Sequence, residues 1–152
     1  MTAKKIPPNW RNQEDVKKAV KTWLKSQKGV QLLPIGSWLN PLRIDILLRR
    51  PCPEELYLFE LYEVKTRRED LKKAPYQLET CRIRLEDRGA TRCYVVVPHW
   101  LIDVLDKVGE YPFFVAALKR FGYGVVTVSP ALIPTVFWEP ETFKRLKQPR
   151  WK

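Results

Sequence analysis

Residues 55 to 67, Glu55-Leu-Tyr-Leu-Phe-Glu-Leu-Tyr-Glu-Val-Lys-Thr-Arg67, decide how the fold is interpreted. The stretch is rich in aromatic and aliphatic residues and ends in charge, which is typical of a strand. Side chains alternate between the faces of a strand, so Glu63 and Lys65 share one face and Val64 lies on the other. A carboxylate and an ammonium at the end of an apolar strand cost desolvation free energy unless a ligand binds there. A divalent cation at Glu63 and a phosphate near Lys65 would be such ligands.

A second acidic residue lies in the preceding strand candidate, Leu42 to Arg49. Asp45 is in the middle of this stretch, between two isoleucines. Residues 50–54 (RPCPE) are typical of a loop joining two strands as a hairpin, and this pairing would bring Asp45 beside Glu63. Two carboxylates and a lysine at one edge of a sheet suit a hard cation and metal-assisted hydrolysis of a phosphodiester.

The pattern of Asp45 followed by Glu63-Val64-Lys65 resembles the PD-(D/E)xK nuclease superfamily. The resemblance implies that Asp45 and Glu63, with the Val64 carbonyl, hold one or two Mg²⁺ ions, with Mn²⁺ as an alternative. It also implies that Lys65 orients the attacking water or contacts the phosphate. In layout, the archaeal Holliday junction resolvases look closest, since they are similarly short, begin with a helix and have a Gly-Ser loop before the first acid, as Gly36-Ser37 does here.

Two positions depart from that pattern. Ile44 precedes Asp45, where the name of the motif has proline. The resolvases also offer a metal-side glutamate on the first helix, and Glu14 is the candidate here, although helical spacing places it away from the apolar stripe. The resemblance further suggests Gln77 and Ser37 as nucleic-acid contacts, and a solvent-exposed Gln77 without a role is the alternative.

The charge balance predicts a polyanionic partner. The chain has 28 Lys plus Arg against 17 Asp plus Glu, a formal net charge of +11, which favours attraction to nucleic acid. Arg67, Arg68, Lys72 and Lys73 follow the acidic strand directly and are expected to hold phosphates flanking the site. A solvated helix start is the alternative interpretation of this run.

Several classes of protein are disfavoured by the sequence. No run approaches the roughly 18 apolar residues of a membrane-spanning helix, and the first residues lack the apolar segment of a signal peptide. Cys52, Cys81 and Cys93 are widely spaced, so we expect no disulfide framework and no zinc site, and His99 is the only histidine. We therefore expect a cytoplasmic, nucleoid-associated protein that does not bind membranes.

The order of predicted elements indicates an α/β fold with a restriction-endonuclease-like core, in which a central mixed β-sheet is flanked by helices. A first helix after Asn12 has an apolar stripe, with Lys17, Lys18, Lys21 and Lys25 largely off it and expected to be solvated. We expect one nuclease-like domain over residues 1–152, with residues 1–10 and 144–152 as flexible basic tails. The remaining predictions are strands at 30–33, 92–98 and 124–128, an edge strand at 131–138, and helices at 75–86, 99–108 and 111–121.

These observations favour a metal-dependent endonuclease acting on branched or duplex DNA, in repair or recombination. Two alternatives remain: a nuclease fold retained as an inactive DNA-binding module of a repair or replication complex, and an RNA-processing nuclease. A symmetric homodimer is expected, because one site makes one nick and resolving a junction needs two. The apolar segment 131–138 (ALIPTVFW) would serve as the interface, or would simply cover the sheet of its own chain.

Overall fold

The computed structural model describes residues 13–34 and 44–147, and all statements of structure refer to these ranges. A 3-10 helix, Arg68–Lys73, lies between the third strand and the second α-helix. The helices are α1 (Gln13–Lys25), α2 (Ala74–Leu85), α3 (His99–Lys107) and α4 (Tyr111–Phe121). The strands are β1 (Gln31–Leu33), β2 (Ile46–Cys52), β3 (Leu56–Val64), β4 (Ala90–Pro98), β5 (Gly124–Val128) and β6 (Pro134–Trp138).

The strands form one mixed sheet whose spatial order follows the chain, from β1 to β6. β3, β4 and β5 are parallel neighbours, whereas β1, β2 and β6 join the sheet antiparallel. The parallel pairs arise because α2 connects β3 to β4, and α3 with α4 connect β4 to β5. The predicted α/β fold with a central mixed sheet flanked by helices is confirmed.

The sheet has an apolar core on each face. Residues 59 and 61 of β3 belong to the core that contains α2, α3 and α4, while residues 62 and 64 belong to the core beneath α1. β4 is buried along nearly its whole length, as its unbroken apolar run predicts. Glu63 therefore lies on the face of the sheet that α2 covers, at the end of the strand.

The hairpin of β2 and β3 forms with Ile46 opposite Tyr62 and Cys52 opposite Leu56. β2 runs on through Cys52, and the turn occupies residues 53–55 rather than 50–54. The prediction that Asp45 lies in the middle of the strand is wrong, because β2 begins at Ile46 and Asp45 is the bend that precedes it. The next register position after the Ile46–Tyr62 pair nevertheless places Asp45 opposite Glu63.

The last described residues pack against the body of the protein. Phe143 makes a β-bridge with Thr91, and the backbone N–H of Arg145 donates to Glu55 Oε2 at 2.8 Å. Leu146 donates its N–H to the carbonyl of Glu86. Residues 144–147 are thus docked rather than part of a free tail, while the rest of that predicted tail and residues 1–10 lie outside the described ranges.

β6 is an edge strand that begins at Pro134, which needs no N–H there. Within the strand, Val136 and Trp138 pack towards the two cores, whereas Phe137 is exposed. Ile133, just before the strand, is exposed as well. Part of the segment predicted as an interface therefore covers the sheet of its own chain, and two large side chains remain on the surface. None of the helices in ranges 13–34 and 44–147 has the length and apolar character needed to cross a bilayer.

Candidate functional site

Asp45 and Glu63 meet at the end of the hairpin through backbone hydrogen bonds. The N–H of Asp45 donates to Glu63 Oε1 at 3.2 Å, and the N–H of Val64 donates to Asp45 Oδ2 at 2.8 Å. Each carboxylate is therefore held by the backbone of the other strand. This reciprocal arrangement fixes both groups at one edge of the sheet, as the sequence predicted for the pair.

Lys65 lies directly beyond β3, and its position is fixed by the parallel neighbour. Its backbone N–H donates to the carbonyl of Val96 on β4 at 2.9 Å, which extends the ladder one residue past the strand. Its Nζ lies 3.2 Å from Glu63 Oε2. Both side chains are largely buried, so the ammonium and the carboxylate form a close pair with little solvent between them.

α1 supplies two further polar side chains to the site, neither of which was predicted there. Lys17 Nζ lies 3.3 Å from Asp45 Oδ1, and Gln13 Nε2 donates to Asp45 Oδ2 at 3.1 Å. The expectation that Lys17 is solvated is wrong, since its side chain is only 13% exposed. Residues four apart stack on one face of a helix, so Gln13 and Lys17 reach Asp45 together.

The signal for these two residues was present in the sequence. Val16, Val20 and Leu24 form the buried stripe of α1 on the sheet. Gln13 and Lys17 border that stripe, and a polar side chain at such a border reaches the edge of the surface that the helix covers. Only the three-dimensional placement of α1 over the end of β3 reveals that Asp45 is the partner.

Glu14, the expected additional metal ligand, is 77% exposed and lies 3.3 Å from Lys17 Nζ. It thus contacts the site through Lys17, which lies between it and Asp45. Because Lys17 bridges the two carboxylates, Glu14 would reach a cation at Asp45 only after this ion pair rearranged.

Burial and close charges change the ionisation of Glu63 and Lys17. Burial and the neighbouring Asp45 carboxylate raise the pKa of Glu63 to about 7, although Lys65 and the Asp45 N–H act in the opposite direction. Burial opposes the charge of Lys17, but Asp45 and Glu14 together raise the pKa of its ammonium. A buried acid whose pKa is raised by a neighbouring carboxylate is a candidate functional residue.

The site offers two carboxylates, rather than three, to an Mg²⁺ or Mn²⁺ ion. Across residues 13–34 and 44–147, no group of three or more His, Cys, Asp or Glu side chains is arranged to hold a metal. Mg²⁺ commonly binds to one or two carboxylates and completes its shell with water and substrate phosphate. Asp45 and Glu63 would provide those carboxylates, and a cation between them would favour the charged form of Glu63, whose pKa is raised by burial and by Asp45.

The basic run after Lys65 is exposed and lies on the 3-10 helix. Arg67 pairs with Glu69 at 3.0 Å, and Arg68 lies 3.8 Å from Glu110 at the start of α4. Lys73 pairs with Asp70 at 3.3 Å. These exposed pairs contribute little stability and exchange readily with other anions.

Gln77 and Ser37 are the other two residues that the sequence suggested as nucleic-acid contacts. Gln77 is exposed in the first turns of α2. Ser37 and the Gly-Ser loop lie outside the described residues, so their position relative to Asp45 is not part of the structure.

Comparison with known proteins adds information about the fold. No protein-family model matches the chain, and no curated protein does. Among solved structures, an XisH family protein from Nostoc punctiforme PCC 73102 is similar, with a TM-score of 0.52 and 16% identity. The match covers 83% of this chain and 98% of that one. At this identity the similarity concerns the fold alone. The α/β fold with a six-stranded mixed sheet is consistent with a restriction-endonuclease-like core.

Proposed function

We propose that the protein is a metal-dependent endonuclease that hydrolyses phosphodiester bonds in DNA, with Asp45, Glu63 and Lys65 as its catalytic residues. The observation that carries this proposal is the reciprocal hydrogen bonding of the two acids, with Lys65 at 3.2 Å from Glu63. An acid pair whose charges conflict, beside a lysine, is suited to a cation and a phosphate in contact.

In this mechanism Asp45 and Glu63 would hold the metal, which supplies Lewis acidity and lowers the pKa of a bound water. Lys65 orients the nucleophilic water and places its positive charge near the non-bridging phosphate oxygens, where charge accumulates in the transition state. Glu63 orients Lys65 by their ion pair. Lys17 and Gln13 hold the Asp45 carboxylate in a fixed rotamer from the other side.

The charge of the chain supports a nucleic-acid substrate. The surplus of +11 attracts a polyanion at long range, and Arg67, Arg68, Lys72 and Lys73 stand immediately after Lys65 to hold flanking phosphates. A Holliday junction or another branched DNA is the finer form of this proposal, with a symmetric homodimer supplying the second nick. Ile133 and Phe137, both exposed on or beside the edge strand β6, are the apolar surface available for that dimer.

One observation favours a second candidate function. Each acid already faces a lysine, Asp45 facing Lys17 and Glu63 facing Lys65, so the four side chains balance in charge without a metal. Such a balanced site suits a DNA-binding module of a repair or replication complex that has no cleavage activity. An RNA-processing nuclease would use the same residues on a different substrate.

The test is a magnesium titration of the purified protein against branched, duplex and single-stranded DNA, with matched RNA substrates. The proposal expects Mg²⁺-dependent nicks that the Glu63→Gln variant, purified in parallel, does not make. Binding without nicking at every Mg²⁺ and Mn²⁺ concentration would establish the binding-module alternative instead. Cleavage of the RNA substrates alone would establish the RNA-processing alternative.

The dimer is tested by light scattering at micromolar protein concentration, with and without DNA. The parent chain is expected to have the mass of a dimer, and Phe137→Glu is expected to be a monomer because a charge cannot be buried in an apolar interface. A parent chain that stays monomeric in both conditions rules out paired nicking.

A further inference from the structure

A groove of about 720 Å³ lies between α4 and the 3-10 helix, which begins three residues after Lys65. Its floor is apolar and includes Leu71, Leu105 and Leu118, which belong to the core on the face of the sheet that carries Glu63. Its volume is in the range of pockets that hold small organic groups. A nucleobase is an organic group of that kind.

The rim of this groove carries two exposed aromatic rings. Phe113 is 76% exposed and Tyr76 is 67% exposed, and both line the groove. Tyr76 packs edge-on against Phe121, with ring centroids 5.6 Å apart, so its ring is supported from one side. Large aromatic side chains left open to water cost hydration free energy and commonly mark a binding surface. Bases of an unpaired strand stack on such rings whatever their sequence.

Basic side chains lie at the same rim. Arg68 and Lys72 line the groove beside the aromatic rings. Arg68 is joined to Glu110 across the groove by a pair at 3.8 Å, with both side chains about half exposed. Pairs of this kind contribute at most about 1 kcal/mol, so a phosphate can displace Glu110 from Arg68.

The groove is continuous with the candidate site along the chain. Arg68 is three residues after Lys65, and three residues span at most about 10 Å between Cα atoms. A strand whose phosphate contacts Lys65 is therefore within reach of Arg68 at the rim of the groove. The basic and aromatic rim favours a nucleic-acid strand, rather than a peptide, as the occupant.

We propose that this groove binds an unpaired DNA strand adjoining the bond to be cut, with Phe113 and Tyr76 stacking on its bases and Arg68 and Lys72 contacting its phosphates. The inference deepens the proposed function, on which its choice of DNA rests. Within the branched DNA of that proposal, it favours DNA in which a duplex meets a single-stranded tail or flap over a fully paired junction, since only unpaired bases are free to stack on the rings.

The test measures binding in EDTA of blunt and single-strand-tailed duplexes, with 2-aminopurine in the tail as a reporter of stacking. The parent is expected to bind the tailed duplex more tightly and to change the fluorescence of the probe. Phe113→Leu keeps an apolar side chain but removes the ring, and should lower affinity for the tail roughly 5- to 150-fold, as loss of one base stack does. Tyr57→Leu is the matched control, because Tyr57 is an exposed aromatic residue at the opposite end of β3 from Glu63.

A second pair of variants tests the charges at the rim. Glu110→Gln releases Arg68 and should strengthen binding of the tail up to about fivefold, the value of an exposed ion pair. Arg68→Gln should weaken it and reduce the dependence of affinity on salt, whereas Phe113→Leu should leave the salt dependence unchanged.

Three outcomes would overturn the inference: equal binding of blunt and tailed duplexes by the parent, retained tail preference in Phe113→Leu, or tighter binding of an RNA tail than of the DNA tail. These failures are separable from failure of the proposed function, because binding in EDTA needs no cleavage. Nicking without a preference for the tailed duplex would support the nuclease proposal and contradict the role of the groove. A preference for the tailed duplex without nicking would support the role of the groove and contradict the nuclease proposal.

Discussion

Two glutamates of β3, three residues apart, are buried to almost the same degree but have opposite surroundings. Glu60 is 3% exposed and Glu63 is 6% exposed. Glu60 accepts two hydrogen bonds from Arg50, each at 3.2 Å, and one from the Tyr62 hydroxyl at 2.7 Å. Burial and the Glu60 carboxylate raise the pKa of that hydroxyl, so Tyr62 keeps the proton that it donates.

Glu63 has cationic and N–H partners as well, but it also faces the Asp45 carboxylate, and its pKa rises to about 7. The difference shows that burial alone does not mark a functional carboxylate. Hydrogen-bond donors surround Glu60, whereas Glu63 also faces a second carboxylate that opposes its ionisation. On this basis we interpret Glu60 as structural and keep Glu63 as the acid on which the proposed function depends.

The largest expected effect is on DNA cleavage, which should depend on Glu63 and Asp45. Glu63→Gln and Asp45→Asn should each lower cleavage about 1,000-fold or more, since a metal contributes several kcal/mol to the transition state and each 1.36 kcal/mol is a factor of ten. Both variants should stay folded and bind DNA without metal at least as tightly, because each loses a negative charge facing phosphate. Single-turnover cleavage and circular dichroism measure this. Undiminished cleavage by Glu63→Gln would show that the site is misassigned.

The second largest effect is on stability, and here the substitution of Glu60, rather than that of Glu63, is expected to be harmful. Glu60→Gln removes the counter-charge of Arg50, whose side chain is 75% buried, and should lower the free energy of unfolding by about 3 kcal/mol. Glu63→Gln should leave it unchanged or raise it. Urea unfolding of both variants at pH 7 makes the measurement. Equal destabilisation by the two substitutions would remove the distinction between the glutamates.

A third effect is the response of stability to pH in the absence of metal. The folded pKa of Glu63, about 7, lies above its ordinary value of 4.5, so between these pH values the folded chain binds a proton that the unfolded chain releases. The contribution of Glu63 to stability is therefore lost as pH rises from about 4.5 to 7, by on the order of 2 to 3 kcal/mol. Unfolding curves at pH 5 and pH 8 should show this loss in the parent relative to Glu63→Gln. A parallel pH response of the two proteins would contradict the assigned pKa.

The smallest effect concerns Lys17, which neutralises Asp45 from α1. Lys17→Gln keeps a hydrogen-bond donor but removes the positive charge, so Asp45 should attract a divalent cation more strongly. We expect affinity for Mn²⁺ to increase at least about fivefold, because an exposed ion pair is worth up to about 1 kcal/mol and this pair is largely buried. Calorimetric titration with Mn²⁺ measures it, with Lys18→Gln as control because Lys18 is an exposed residue of the same helix. Weaker Mn²⁺ binding by Lys17→Gln would mean that Lys17 supports the ion instead of competing with it.

The fold was largely predictable because its signals are local. The apolar run of β4, the charge at the end of β3 and the Pro75 near the start of α2 each specify an element without reference to distant residues. Asp45 and Glu63 were also predictable, since a hairpin fixes their register over a short separation.

The contribution of α1 to the site was not predictable in the same way. Lys17 and Asp45 are 28 positions apart, and their contact depends on how a helix packs across the sheet rather than on local pattern. A lysine beside an apolar stripe has the same sequence signature whether it meets water or a carboxylate. The groove beside Phe113 could not be predicted from the sequence either, because its two walls come from segments that are distant in the chain and meet only in the folded protein.

The hydrogen bond from the Val64 N–H to Asp45 Oδ2 has a consequence for how this site would decay in evolution. The Asp45 carboxylate adds one hydrogen bond to the sheet beyond the last paired residues of β2 and β3, Ile46 and Tyr62. Under the proposed function, a descendant that had lost catalysis would still be selected to keep acceptors at positions 45 and 63, because each carboxylate accepts a backbone N–H there. The Lys65 ammonium pairs with the Glu63 side chain and would be freer to change. Among distant relatives, a lysine at position 65 would therefore be the better indicator of retained activity.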